Sequence, residues 1–363
     1  AELPRGSKKR LLLLGESIVL FRLHDGTLAA VPTHCPHRGA SLEYGYIESD
    51  GIRCAYHGWK LGMDGRLLEC PFGGPDPMPD RQQVSVVEMR GIIFVMLGNE
   101  EDHFSPPKWD LLEETGLELV VQRHEVQCNW FQYQENAADP VHTLFTHAAR
   151  YRSLGVPESS GFFGQLVWYA FAVHGFGLVK GWLYEGRGAG WGNLAIFPNI
   201  LRIPGEMHWR VPLTNDRTLV FQLALREQGS GLNHVRDQID RSHLLHEAIA
   251  IESPPVYQDG IQTPTYSTWS FQGQDAAACA SQGVRVNRGY ESLCPSDQGI
   301  ILYRDAWAEA CACSDGSLET YRAFCRRDGI IDCRPYLGRR EAAASRPLDI
   351  PTSESSASYE WGD

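Results

Sequence analysis

Residues 35–60 read CPHRGASLEYGYIESDGIRCAYHGWK, and this stretch contains two close Cys/His pairs. The first pair is Cys35 and His37, and the second is Cys54 and His57, with sixteen residues between the pairs. Thiolates and imidazoles in such compact pairs are typical metal ligands. The stretch therefore predicts a metal centre held by two loops.

The way the ligand types are paired distinguishes two kinds of metal centre. A Cys2His2 zinc site usually takes both cysteines from one pair and both histidines from the other. Here each loop supplies one of each, which favours a [2Fe–2S] cluster with both cysteines on one iron and both histidines on the other. Gly39 and Gly58 follow the two pairs and allow backbone amides to approach the cluster sulfurs. A zinc ribbon is the alternative.

Short strands and tight turns surround the two loops. Apolar runs alternate with Gly, Pro and Asp-Gly signals, and Asp64-Gly65 indicates a hairpin. The runs lie at 11–14, 18–22, 28–31, 84–87 and 92–97. Residues 1–100 are therefore predicted to form a small antiparallel β domain.

A second informative stretch, residues 128–147, reads CNWFQYQENAADPVHTLFTH. Two histidines and one carboxylate make the facial triad of non-haem iron(II), which leaves positions open for O2. His142 and His147 are five residues apart, and five residues of a regular helix turn through about 140°. One ion can bind both only if the helix is bent or contains a wide turn. The residues alone leave five candidates for the carboxylate ligand, namely Glu252, Asp259, Asp275, Glu291 and Asp297.

Residues 35–60 resemble the Rieske domain of bacterial Rieske non-haem iron oxygenases. The pattern E-N-x-x-D-x-x-H-x4-H, from Glu135 to His147, resembles their mononuclear iron motif. Residues 274–304 resemble the C-terminal helical segment of the phthalate-dioxygenase-like branch, in which the Asp after Gln binds the iron. The resemblance thus implies Asp275 as the third ligand. The complete implied set is Cys35, His37, Cys54 and His57 for the cluster, and His142, His147 and Asp275 for the mononuclear iron(II).

The resemblance implies an α+β fold with two domains and a tail. An N-terminal antiparallel β Rieske domain would occupy residues 1–100. A catalytic domain, an antiparallel sheet flanked by helices, would occupy residues 101–338, and the aromatic and β-branched runs of 162–225 agree with such a sheet. The Ser/Ala/Pro-rich residues 339–363 are expected to form a loose tail.

The activity that the resemblance implies is that of a terminal oxygenase. It would use cluster electrons and O2 to hydroxylate or demethylate an apolar, ring-containing small molecule. Aromatic residues offer candidates for the pocket wall, although core packing explains such residues at least as often; they are Phe162, Phe163, Phe176, Trp191, Phe197 and Trp209. No nicotinamide or flavin motif is present, so a separate NAD(P)H-dependent reductase, with or without a ferredoxin, is expected.

Asp139 and Asn136 of the iron motif are taken as further catalytic residues. Asp139 precedes His142 by three residues and so lies on nearly the same helix face, where it can accept the free N–H of His142. The resemblance implies a homotrimer in which Asp139 joins the Rieske centre of one subunit to the iron of its neighbour. Asp139 is also expected to cap the helix opened by Pro140.

Composition limits the possible partners and the compartment. A net charge of −12 over 363 residues disfavours nucleic acid and anionic membrane surfaces. Apart from Cys35 and Cys54 the cysteines are scattered, which favours reduced thiols and a cytoplasmic location. Two alternatives to the oxygenase are an electron carrier with an inert extension and a non-catalytic ligand-binding module.

Overall fold

The computed structural model describes residues 3–74, 84–97, 106–153, 155–158, 163, 166–185, 188–227, 271–312, 331–339 and 358–361. The chain divides into two compact units, Ala1–Pro107 and Lys108–Asp363. The division lies a few residues after the expected boundary at residue 100. No helix within the described stretches has the length and apolarity that crossing a membrane requires.

The described part of the first unit consists of antiparallel sheets. Strands β1, β2 and β3 form one sheet, β4 to β7 form a second, and β8 pairs with β9. The strands are β1 Lys8–Leu13, β2 Glu16–Arg22, β3 Leu28–Pro32, β4 Tyr46–Glu48, β5 Gly51–Arg53, β6 Lys60–Gly62, β7 Leu67–Glu69, β8 Val84–Met89 and β9 Ile92–Leu97. The predicted antiparallel β domain is thus confirmed.

The two-residue connections of this unit follow from backbone conformation. Leu14-Gly15 joins β1 to β2 and Arg90-Gly91 joins β8 to β9, and all four residues have positive φ. Two successive positive φ angles make the turn whose twist matches antiparallel strands. Between the sheets lies a core that includes both cysteines and Trp59 of the Cys/His loops, with Phe21 and Leu61. The loops are therefore anchored in the hydrophobic core of the unit.

A single antiparallel sheet dominates the described part of the second unit. Its strand order is β10-β16-β15-β14-β13-β12-β11-β18, with β17 beside β13. The strands are β10 Leu117–Val126, β11 Leu166–His174, β12 Gly177–Tyr184, β13 Gly188–Ile196, β14 Ile200–Ile203, β15 Glu206–Thr214, β16 Arg217–Glu227, β17 Gly338–Arg339 and β18 Ser358–Trp361. Most of the sheet is a meander of neighbouring strands, and its predicted antiparallel character is confirmed.

Helices cover the sheet where the predicted iron ligands lie. The described helices are α1 Asp110–Glu113, α2 Trp130–Ala138, α3 His142–Thr146, α4 Ala148–Ser153, α5 Phe271–Ala280 and α6 Gln298–Ala312. Ala137 and Ala138 of α2 pack with Leu178 and Ala195 of the sheet and with Tyr303 of α6.

Small side chains let the helices approach closely. Ala276 and Cys279 of α5 pack with Tyr133 of α2 and Val220 of β16. A Cβ on Gly299 of α6 would overlap the ring of Phe171 and the carbonyl of Ala138. Glycine at 299 therefore lets the start of α6 approach the end of α2.

Part of the C-terminal tail pairs with the sheet of the second unit. Residues 358–361 of the expected loose tail pair with β11, where Tyr359 lies opposite Phe171. Backbone hydrogen bonding to an edge strand thus orders a segment whose composition alone indicated irregular structure.

Candidate metal centres

Both Cys/His loops have the same backbone hydrogen bonds. In the first loop the N–H of Cys35 donates to the carbonyl of Ala40, and the N–H of Gly39 donates to the carbonyl of Cys35, each at 2.9 Å. In the second loop Cys54 makes the corresponding bonds, at 2.8 and 3.1 Å. Each loop is therefore closed on its own cysteine, which fixes where the following residues project.

Each loop needs its glycine for backbone conformation. Gly39 and Gly58 have φ of 75° and 76°, in the left-handed region that other residues rarely adopt. The backbone conformation by itself therefore calls for glycine at both positions.

The two loops bury their sulfurs and place their imidazoles side by side nearer the surface. Cys35 and Cys54 are 2% and 3% exposed, whereas His37 is exposed and His57 partly so. The two imidazole centroids are 4.6 Å apart. This arrangement fits a [2Fe–2S] cluster whose cysteine-bound iron faces the core and whose histidine-bound iron faces the surface.

Neighbouring groups set the orientation and charge of the imidazoles. The ring of Trp59 stacks on His37 at a centroid distance of 4.6 Å, and the ring of Tyr56 lies 3.7 Å from that of His57. Burial, with the charges of His37 and Arg38, lowers the pKa of His57. The neutral form, which binds metals, is thereby favoured.

Arg53, which immediately precedes Cys54, braces the second loop. Its Nη1 donates to the carbonyl of Gly58 at 2.7 Å. Its other nitrogens donate to both oxygens of Glu48, at 2.5 and 3.1 Å, and to Glu69 at 2.8 Å. Hydrogen bonds from Arg53 and then from Lys60 lower the pKa of Glu48 to about 2. Sequence reasoning missed Arg53, because its acidic partners lie on other strands, β4 and β7.

The second centre lies where one helix ends and another begins. Asp139 precedes Pro140 and is extended (φ −85°, ψ 124°), so α2 ends at Ala138. Asp139 Oδ1 accepts the N–H groups of Val141 (2.7 Å) and His142 (3.3 Å) and so caps α3. The expectation that Asp139 and His142 share one helix face was therefore wrong. The break precedes both histidines, and the junction between them is at His147 (φ −96°, ψ −12°), where α3 has ended and α4 begins.

His142, His147 and Asp275 come together despite their separation in sequence. One donor atom from each lies within 4.8 Å of the others. Asp275 Oδ1 lies 3.3 Å from His147 Nε2 and 3.7 Å from His142 Nε2. This oxygen is buried and accepts no hydrogen bond from the described residues. Two imidazoles and an unsatisfied carboxylate oxygen facing one point fit a mononuclear iron(II) ion.

Gln274 orients one of these imidazoles. Its side chain is fully buried, and its Oε1 lies 3.0 Å from His147 Nδ1. An amide oxygen accepts, so Nδ1 carries the proton and the lone pair of Nε2 faces Asp275. Burial lowers the pKa of His147, which favours the neutral ring. The sequence placed Gln274 in a family pattern but gave no reason for its presence.

Asp139 is held from two sides. Its Oδ2 lies 3.5 Å from His142 Nδ1, and its backbone carbonyl accepts a hydrogen bond from Lys180 Nζ at 2.9 Å. Burial raises the pKa of Asp139, but its contacts with His142, Val141 and Lys180 outweigh burial. The net effect lowers the pKa of Asp139 to about 2. The carboxylate is therefore ionised at neutral pH and can accept from His142.

The other polar residues of the iron motif point elsewhere. Asn136 Nδ2 lies 4.0 Å from Cys279 Sγ, and the catalytic role of Asn136 stays a prediction. Glu135 is buried and forms ion pairs with Arg288 and Arg304, both at 2.7 Å. These pairs connect α2 to α6 and the segment before it.

Two of the other four candidates for the carboxylate ligand of the iron have different partners in the structure. Glu291 pairs with Arg288 and Arg304, and Asp297 accepts the N–H of Cys294 at 2.8 Å. Glu252 and Asp259 lie outside the described residues. The geometry therefore favours Asp275 over Glu291 and Asp297.

Gln132, which the sequence did not single out, ties the helices of the centre together. Its Nε2 donates to the carbonyls of Cys279 (2.9 Å) and Gly283 (2.8 Å), and its Oε1 accepts the N–H of Val286. The end of α5 and the following turn are thus fixed to α2. This helps to hold Asp275 against the histidines of the α2–α3 segment.

Two of the pocket candidates belong to the packed interior. Phe197 lies in the core between the sheet and α6, 5.1 Å from the ring of Tyr303. Phe176 is buried and stacks on His174. Phe162 and the side chain of Trp191 lie outside the described residues.

Comparisons with known proteins agree with both centres. Residues 1–85 match the family model described as the Rieske [2Fe-2S] domain. The chain is 34% identical to the phenoxybenzoate dioxygenase subunit alpha of Ectopseudomonas oleovorans, with 80% of this chain and 73% of the relative covered. It is 26% identical to the 5,5'-dehydrodivanillate O-demethylase oxygenase subunit of a Sphingobium strain, with 84% and 71% covered. The predicted Rieske domain is confirmed.

The fold has solved counterparts. The oxygenase in the oxygenase–ferredoxin complex of carbazole 1,9a-dioxygenase superposes with a TM-score of 0.57 at 18% identity, covering 90% of this chain and 91% of that one. At this identity the likeness concerns the fold alone. It agrees with an N-terminal β domain followed by a sheet-rich domain with helices.

The brace at Arg53 generates a prediction. Arg53→Met removes the donor to Gly58 and the main cation beside Glu48. We expect the first unit to be less stable without these hydrogen bonds. The visible absorption of the cluster should therefore bleach at a lower temperature. The pKa of Glu48 is depressed, so the brace should act at neutral pH and weaken as pH falls from about 4.5 toward 2.

Arg66→Met is the matched control, because Arg66 is 73% exposed and contacts Asp64 only at 3.5 Å. It should bleach at the same temperature as the unmodified protein. Equal bleaching temperatures for Arg53→Met and Arg66→Met would contradict the brace.

Proposed function

The chain belongs to the Rieske non-haem iron oxygenases as a terminal oxygenase subunit, and we propose that it hydroxylates or demethylates an apolar, ring-containing small molecule. One observation carries the proposal. In the same chain as the Cys/His loops, His142, His147 and Asp275 direct donor atoms at one point. When bound, the cluster supplies single electrons and the mononuclear iron supplies open positions for O2.

The residues around the second centre have separable tasks in this proposal. His142, His147 and Asp275 would hold the iron, because their donor atoms face one point. Gln274 keeps the proton of His147 on Nδ1, away from the metal. Asp139 would do the same for His142 on a closer approach, because its Oδ2 faces Nδ1 at 3.5 Å and Nδ1 has no hydrogen-bond partner among the described residues.

The electron-carrier alternative is not favoured. A carrier needs the Cys/His loops but has no use for two imidazoles and an unsatisfied buried carboxylate in a second unit. A ligand-binding module without catalysis has no use for them either. Similarity to oxygenase subunits over 80% or more of the chain points the same way.

The substrate class rests on the relatives. The two relatives named above are a phenoxybenzoate dioxygenase and a dehydrodivanillate O-demethylase, which share a substituted aromatic ring as substrate. We therefore propose an aromatic substrate for this chain. Both oxygen insertion into the ring and removal of an O-methyl group are chemistries of the family to which it belongs.

The proposal also covers the electron supply and the assembly of subunits. The sequence has no nicotinamide or flavin motif, so electrons would come from a separate NAD(P)H-dependent reductase. A fold counterpart is known in complex with a ferredoxin, which supports a ferredoxin as the direct donor. We propose a homotrimer in which Asp139 accepts a hydrogen bond from His37 or His57 of a neighbouring subunit.

A pair of carboxylate variants tests the proposed activity. Asp275→Ala should lower substrate-dependent O2 uptake by at least about 100-fold, because removal of a ligand releases the iron. Asp297→Ala, which removes a carboxylate that caps a turn, should retain most of the activity. The measurement is O2 uptake by the full chain with reductase, ferredoxin and a panel of aromatic acids. Full activity of Asp275→Ala with an intact cluster spectrum would refute the ligand assignment.

Asp139→Asn separates the capping role of Asp139 from its role between the centres. Asn keeps an oxygen for the N–H groups of Val141 and His142, so α3 should remain capped. It loses the charge that accepts from His142. We expect both centres to load, but turnover to fall by about 100-fold or more.

A single-turnover experiment on the pre-reduced Asp139→Asn protein gives the decisive readout. The account predicts that the cluster stays reduced and that no product forms. Normal cluster oxidation with one equivalent of product would leave Asp139 with the capping role alone.

A further inference from the structure

Lys180 is a buried lysine in the sheet below the second centre. It lies on β12 and is 3% exposed, and its Nζ donates to the backbone carbonyl of Asp139 at 2.9 Å. Removing an ammonium group from water is unfavourable unless the group is compensated. Burial lowers the pKa of Lys180 to about 8, and the carboxylates of Asp139 and Asp275 only partly oppose this shift. The hydrogen bond from Nζ to the carbonyl of Asp139 is available to the amine in either protonation state.

The carbonyl that Lys180 binds lies at the break in the helix. Asp139 is extended, and Pro140 has no N–H, so the chain around this carbonyl leaves the helical hydrogen-bonding pattern. A buried carbonyl without a partner would destabilise this conformation. Lys180 supplies the donor from the sheet, across the interface between the two layers.

The pairing of β12 with β13 is irregular beside Lys180. Leu178 lies opposite Ala195 but Lys180 lies opposite Gly192, so β13 has one extra residue between these two pairs. Asn193, within this bulge, has φ of 52°. Bulges re-aim neighbouring side chains and are frequent beside functional sites. The bulge thus gives the position of Lys180 a local cause.

We propose that Lys180 is a positioning residue for the mononuclear iron ligand His142. Lys180 holds the carbonyl of Asp139, and the carboxylate of Asp139 holds the N–H of His142 (3.3 Å) and faces its Nδ1 (3.5 Å). Asp139 is thereby fixed at both its backbone and its side chain. The inference rests on the proposed function, because it assigns to His142 the role of an iron ligand.

A purely structural role for Lys180 makes a different prediction. If Lys180 served only to hold the sheet against α2, its replacement would lower stability and leave the intrinsic iron affinity unchanged. A positioning role predicts a loss of iron affinity in addition. Met has a similar length but cannot donate to the carbonyl of Asp139, so Lys180→Met should lower the unfolding temperature and also weaken iron binding.

The test measures ferrous iron in the full chain with its cluster assembled. The protein is equilibrated without O2 against graded concentrations of a ferrous chelator, and the iron in excess of the cluster is determined. Lys180→Met should bind this iron about ten-fold more weakly, as expected when a partner behind a ligand is removed. The visible spectrum of the cluster should not change.

Thr218→Val is the matched control. Thr218 lies on β16 of the same sheet, is fully buried and donates its hydroxyl to the carbonyl of Cys128 at 2.8 Å. The substitution therefore also removes one buried bond from the sheet to a backbone carbonyl just before α2. It should lower the unfolding temperature and leave iron affinity unchanged. Lys180→Arg, which retains a cationic donor, should restore part of the affinity lost in Lys180→Met.

The outcomes distinguish this inference from the proposed function. If His142→Ala loses the iron but Lys180→Met binds it as tightly as the unmodified protein, the positioning role is refuted and the iron site stands. If His142→Ala also retains the iron, the proposed function itself fails. If Lys180→Met and Thr218→Val instead lowered stability and iron affinity to the same extent, Lys180 would have only a structural role.

Discussion

Pro140 has no N–H to donate and keeps Asp139 out of the helical region, so α2 ends at Ala138 and the chain must start a new helix. The second centre is built on the helix that begins after this break. Asp139, which no longer belongs to α2, accepts the N–H of His142 at the start of α3, and its other oxygen faces the ring of the same residue. Both imidazoles approach the same carboxylate oxygen of Asp275. The break thus lets one aspartate position the proposed iron ligand that follows it by three residues.

The first centre depends on a different constraint. Each cysteine closes its own loop through two backbone hydrogen bonds and lies in the hydrophobic core of the unit. The sulfur positions are therefore set by the packing of the β domain, and cluster binding and folding stabilise each other. The histidines, nearer the surface, rely on aromatic neighbours such as Trp59 for their orientation. The more exposed side of the centre is where a redox partner can approach.

Local patterns in the sequence predicted much of the fold and most of the proposed ligands. Cys35, His37, Cys54 and His57 lie within one stretch, and alternation of apolar runs with turn residues indicated strands that the structure contains. Contacts between distant residues could not be predicted in this way. Asp275 comes from another helix, and residues alone left five candidates. The partners of Arg53, Gln274 and Lys180 follow from strand register and helix packing, which no local pattern encodes. The sequence placed Asp139 and His142 on one helix face, because a continuous helix was assumed.

The central claim is that one chain holds two separate metal centres. Its most direct test is the ratio of iron to acid-labile sulfide in the full chain after anaerobic assembly. A [2Fe–2S] cluster with a mononuclear iron predicts about three irons and two sulfides per chain. About two irons with two sulfides, unchanged by added ferrous iron, would contradict the claim and leave a protein with a Rieske centre alone.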